Sequence, residues 1–185
     1  MLWAIVLIAV VTTLFAVVAP QVAGVADRDR VLDTYAKLAA IDTGVMTFGT
    51  VVKRVGTVYP GHVHQLSDLV TTSDQVSCHN NTMNANSITT WTAGGPFIHF
   101  YAPSNGVFTP LGAINDSIEH PAANQPMYLR IPAVQSDLVT MMDQIVDNGD
   151  GGVAGTIRFG TPAGDVVDLV YRIGFAPTFT LKNQC

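Results

Sequence analysis

Charge is scarce in this chain: only 12% of its 185 residues are Asp, Glu, Lys or Arg, about half the usual share in soluble domains. A disordered, solvated polypeptide needs high charge and low hydrophobicity, whereas 48% of these residues are hydrophobic. Basic residues number 9 against 14 acidic ones, for a net charge of −5, so a surface built to coat nucleic acid is excluded. Glutamate is almost missing: Glu119 is the only one, and any catalytic carboxylate pair would have to come from aspartates. The G-x-S-x-G, H-E-x-x-H and P-loop patterns are lacking as well, and with them the commonest hydrolase, zinc-protease and nucleotide sites. No enzyme, no organic cofactor and no nucleic-acid partner is expected. Cysteine is limited to Cys78 and Cys185, without a C-x-x-C. An even pair in an exported domain most simply forms one disulfide, with two buried free thiols as the alternative. The bridge would close a loop of about 100 residues, worth ~4–5 kcal/mol by chain entropy.

Residues 1–26 carry no charged side chain at all; the first charges are Asp27, Arg28, Asp29 and Arg30. About 20 apolar residues at 1.5 Å each match the ~30 Å hydrocarbon slab of a bilayer. A secretory signal peptide would begin with basic residues, and none precedes this run. The expectation is a retained apolar helix.

The helical pattern continues past the first charges. Val31, Tyr35, Leu38, Ile41, Val45, Phe48, Val52 and Val55 follow one another at spacings of three or four, one face of a helix about seven turns long. Gly56 and Pro60 predict its end. Residues 1–55 then form one rod of about 80 Å, apolar all round in its first half and on one face in its second. Pro20 and Gly24 are weak points where a kink or local melting is expected.

Beyond the rod, Val63, Leu66 and Leu69 predict a short helix, and the polar stretch 73–90 a surface loop. Strands are expected at Phe97–Tyr101 and at Met127–Ile131, the latter stopped by Pro132. Residues 102–126 show little periodicity. Val134, Leu138, Met141 and Ile145 mark a second amphipathic helix ending at Asn148-Gly149. Thr156–Phe159 and Val166–Ile173 predict a hairpin across Thr161–Asp165. The chain therefore divides into an apolar segment (1–26), its amphipathic continuation (27–55) and a head (56–185), an α+β arrangement with an antiparallel sheet laid on the long helix.

Few residues suggest chemistry. His62 and His64 flank Val63 in a loop or short helix and read as surface histidines, with a metal pair as the alternative. Asp147, Asn148 and Asp150 lie in a glycine-rich loop and are candidates for calcium, together with backbone carbonyls. They do not follow the EF-hand pattern, because its third and fifth positions would be Gly149 and Gly151. A solvated turn ending the helix is the other reading. Asn80-Asn81-Thr82 and Asn115-Asp116-Ser117 are formal glycosylation triplets.

In chain order, these features resemble the type IV pilin and type II secretion pseudopilin superfamily. The apolar helix running into an amphipathic half is similar to the family's N-terminal helix. Tyr59-Pro60-Gly61 with Val63 and Leu66, Trp91 with Gly95-Pro96-Phe97-Ile98, and Asp143 to Gly149 followed by Gly155-Thr156-Ile157-Arg158 resemble its head motifs. One position differs: the family's filament subunits usually carry glutamate at the fifth mature position, and the fifth residue here is Ile5.

The resemblance implies a pilin-like fold and a subunit that polymerises with copies of itself into a helical extracellular or periplasmic filament. It also implies residence in the inner membrane before assembly, and dealings with a prepilin peptidase and the pilus assembly machinery. The filament core would be drawn from Leu2, Trp3, Ile5, Val6, Ile8, Ala9, Leu14, Phe15, Pro20 and Gly24, and a Cys78–Cys185 bridge suits a pilin head. Two alternatives stand beside it: a minor or tip pseudopilin of a secretion machine, and a membrane-anchored periplasmic binding domain.

Overall fold

The computed structural model describes residues 24–48, 63, 65–70, 89, 92–101, 106–119 and 126–173. The apolar stretch 1–23, the expected helix end at Gly56, the loop 73–88, His62, His64, Cys78 and Cys185 lie outside them. Among the described residues no helix is long and apolar enough to cross a membrane.

Residues 24–48 form helix α1. Its stripe behaves as the spacing predicts: Val31, Leu38, Ile41, Val45 and Phe48 are buried, and Tyr35 packs against them half-buried. Thr34, on the same face, is also buried, and its hydroxyl donates to the Arg30 carbonyl one turn back at 2.8 Å. A hydroxyl satisfied within its own helix can be buried at little cost.

The short turn of 3₁₀ helix at Leu66–Leu69 buries both leucines, and the Asp68 carboxylate accepts from the Gln65 N–H at 3.0 Å to cap it. The Leu69 carbonyl accepts from the Phe97 N–H at 2.7 Å. The stretch Phe97–Tyr101 is not a strand, contrary to expectation. It lies across α1, where Ile98 is buried and the Phe97 ring meets Phe48 edge-on, with centroids 5.3 Å apart. A continuous apolar run does not by itself distinguish a strand from a segment packed against a helix.

Residues 102–126 hold more structure than their composition suggests. Strands β1 (Val107–Thr109) and β2 (Gly112–Ile114) form an antiparallel hairpin. The Thr109 hydroxyl organises its turn, accepting from the Leu111 and Gly112 N–H groups at 3.3 and 3.2 Å. Two side chains of α1 clamp the hairpin: Lys37 Nζ donates to the Phe108 carbonyl and Arg30 to the Pro110 carbonyl, each at 3.1 Å.

The main sheet has the order β3-β5-β4, all antiparallel. Strand β3 spans Tyr128–Gln135, β4 Ile157–Arg158 and β5 Val166–Arg172. The β4–β5 pairing is the expected hairpin. Along β5 the buried Val167, Leu169 and Tyr171 alternate with residues facing outward, the period-2 signature of a strand with one face on the core. Strand β3 does not stop at Pro132. Its pairing shifts by one residue between Ile131 and Val134, and Ala133 takes φ +53°. The Ala133 N–H turns out of the ladder to the Asp168 carboxylate at 3.1 Å. A bulge is one of the few places where a strand tolerates proline.

Helix α2 (Ser136–Val146) follows β3 directly. Val134 is therefore a strand residue, and the buried face of α2 is Leu138, Val139, Met142 and Asp143. Met141 is partly buried and Ile145 is 38% exposed, so the stripe sits about one residue round from its expected position. The α1 stripe, the inner faces of β3 and β5 and this face of α2 share one hydrophobic core. The chain is thus α+β, with an N-terminal helix and small antiparallel sheets.

Candidate functional site

Two clusters of charged side chains flank the main sheet. The first lies on its outer face. In β3, Arg130 stands between the buried Leu129 and Ile131; in β5, Asp168 stands between the buried Val167 and Leu169. Alternation therefore turns both outward, onto adjacent paired strands. Arg130 donates through Nε to Glu119 Oε1 at 2.6 Å, through Nη2 to Glu119 Oε2 at 3.0 Å and through Nη1 to Asp168 Oδ2 at 2.9 Å. The bidentate bond from Arg130 holds Glu119 below its ordinary value of 4.5. Asp168 is held below 3.8, first by the Ala133 N–H and then by Arg130. An open cleft of about 410 Å³ runs beside Arg130 and Asp168 toward Thr161 and Val166. Its one guanidinium is already taken up by two carboxylates. The cluster is a clip that fixes Glu119, β3, the bulge and β5 to one another.

The second cluster lies where α2 ends. Asp143 lies in the last turn of α2, Asp147 caps its C-terminus and Asp150 follows in the loop; a carboxylate oxygen of each lies within 4.8 Å of the others. Each carboxylate is oriented by backbone N–H groups. Asp143 Oδ2 accepts from Gly151 at 3.0 Å, Asp150 Oδ1 from Gly152 at 3.0 Å, and Asp147 Oδ2 from Thr156 and Ile157 at 2.8 and 2.6 Å. The loop can approach this closely only through glycine. A Cβ on Gly155, which has φ +74°, would stand 2.6 Å from Asp147 Oδ2. Beyond the cluster, Tyr171 packs on Tyr35 with ring centroids 6.3 Å apart and donates to Asp42 Oδ2 at 3.4 Å. Burial, followed by the charge of Asp42, raises its phenol above the ordinary value.

The structure thus brings together Asp147 and Asp150, two of the three residues expected from the loop. It replaces the third, Asn148, with Asp143. Asn148 has φ +60° and serves the turn that ends α2, a conformation asparagine tolerates better than most residues. The Arg130 clip also escaped the sequence reading, although alternation along both strands was the signal for it. The expected histidine pair, disulfide and filament-core residues, except Gly24, fall outside the described residues. Gly24 opens the described part of α1, and nothing lies within 4 Å of where its Cβ would be. No family model, no curated protein and no solved structure matches the chain.

Proposed function

We propose that the chain is a structural subunit of a helical filament, built on a pilin-like plan, and not an enzyme. In this reading residues 1–26 form the shared apolar core of the fibre and the α+β head coats its outside. The observation that carries it is the helical entry of α1 into the head. The helix is unbroken from 24 to 48, and by Val31 its inner face is already fully buried. A plain membrane anchor is usually joined to its domain by a flexible, polar linker, and the span between the apolar stretch and Val31 is helical instead.

An apolar segment of this length cannot rest in water; it must sit in lipid or against copies of itself. A segment that enters its head as helix gives each copy the same offset from its neighbour when copies stack. A heterologous contact that does not close on itself then grows into an open helical fibre. The inner membrane would hold the same segment before assembly.

Shearing cells that express the chain and imaging the released material by negative stain tests this. Thin fibres labelled by an antibody against the head are expected. Recovery of the chain solely as detergent-soluble monomers from membranes, with no labelled fibres, overturns the reading.

A further inference from the structure

The acidic cluster contains a feature that hydrogen bonding within it does not account for. Asp143 is 1% exposed, and its Oδ1 is buried without a hydrogen-bond partner among the described residues. No lysine or arginine among the described residues forms an ion pair with Asp143, Asp147 or Asp150. A buried carboxylate lacking both a cation and a full set of donors is costly, and two further carboxylates within 4.8 Å add repulsion.

We propose that Asp143, Asp147 and Asp150 form a calcium site that ties the end of α2 to the start of β4. The donor set suits calcium, a hard cation that takes oxygen ligands. Calcium takes 6–8 oxygen ligands at about 2.4 Å, so its ligands stand up to about 4.8 Å apart. The three carboxylates offer oxygens within that reach of one another. Magnesium at about 2.0–2.1 Å demands a tighter octahedron, and zinc prefers nitrogen and sulfur in a tetrahedron. The hydrogen bonds already described engage one oxygen of each aspartate, so each carboxylate keeps a second oxygen that these N–H groups do not use. Loop carbonyls and water would complete the shell. Because Asp147 also accepts from the first N–H groups of β4, a bound ion fixes the helix, the glycine loop and the sheet edge together. The site does not depend on whether the chain polymerises.

The full chain, stripped with EDTA and dialysed, is titrated with CaCl₂ by calorimetry and melted at each concentration. One ion per chain and a rising Tm are expected, with the folded-to-unfolded ratio about 100-fold higher at 100 times Kd. Asp150→Asn, at an exposed position, should keep the calcium-free Tm and lose most of the response. Asp143→Asn should melt no lower than the calcium-free parent, since it removes a buried charge, and should not respond. The assignment is overturned if the parent shows neither heat nor a Tm change at 10 mM CaCl₂ (roughly the weakest range for such modules). It is overturned equally if both variants respond like the parent, or if MgCl₂ gives the same shift at the same concentration.

Discussion

At Gly44, α1 and the 97–98 segment come into close contact. A Cβ there would stand 2.8 Å from Ile98 Cγ2 and 2.9 Å from the Phe97 carbonyl oxygen. The methyl of Ile98 can turn aside; the carbonyl belongs to backbone and cannot. Gly44→Ala gains about 1 kcal/mol of helix propensity, against the ~1–3 kcal/mol typical of overpacking. We expect a net loss of about 1 kcal/mol, read as a lower midpoint in urea. Gly24→Ala, whose new methyl meets nothing within 4 Å, should show no such loss. Equal midpoints for the two variants would mean that the 97–98 segment does not bear on α1. The Arg130 clip gives a second prediction. Glu119 and Asp168 have depressed values in the folded state, so the stability they contribute is present above their unfolded values. It is lost as pH falls through the lower folded ones. The side chains are 33% to 46% exposed, and solvent screening limits the gain to about 1 kcal/mol or less. Glu119→Gln should therefore melt slightly below the parent at pH 7, with the gap closing between about pH 5 and pH 3. A gap that persists unchanged at pH 3 would assign the loss to packing.

Elements differ in how much of themselves they write into the sequence. Helix α1 and strand β5 each bury one regular face, so spacings of three or four and of two identified them. The β1–β2 hairpin is too short for periodicity, and the Thr109 hydroxyl that closes it is a local hydrogen bond with no repeat. Strand β3 concealed its second half because Pro132 is forbidden in a regular ladder and acceptable only in a bulge. The stripe of α2 is displaced for a related reason: counting from Val134, a strand residue, gives Val134, Leu138, Met141 and Ile145, a set that does not include Asp143. The same step hid the buried member of the acidic cluster, while Asp147 and Asp150 were legible from the glycine loop alone. The bulge itself is testable. Ala133 sits at φ +53°, where a Cβ costs about 1–2 kcal/mol, and glycine loses roughly 0.4–1 kcal/mol of that advantage through the unfolded chain. Ala133→Gly should raise the urea midpoint by the equivalent of about 0.5 kcal/mol. A lower midpoint would show that the methyl packs usefully.

At the scale of the whole molecule, α1 bears on both the head and the proposed fibre. Its inner face belongs to the core, while Val25 and Leu32, two turns apart on one side, are 62% and 39% exposed. Single exposed aliphatic side chains are ordinary; these two continue the apolar character of residues 1–23 into the head. In a stack of identical rods, the side of α1 next to the apolar core is the first part of the head to meet a neighbour, so a charge there should act on assembly and not on folding. Val25→Asp and Leu32→Asp should each lower the yield of sheared fibres several-fold while leaving the Tm of the head within about 2 °C, as expected of surface substitutions. Ile145→Asp provides the contrast, since Ile145 is 38% exposed but lies on α2, away from the entry of the rod. If Ile145→Asp abolishes fibres and the α1 variants do not, subunits meet through the α2 side of the head and the stacked-rod geometry is wrong. If Leu32→Asp loses fibres while still reaching the membrane, the contact it breaks is between subunits and not with lipid, because Leu32 lies past the first charged positions, Asp27 to Arg30.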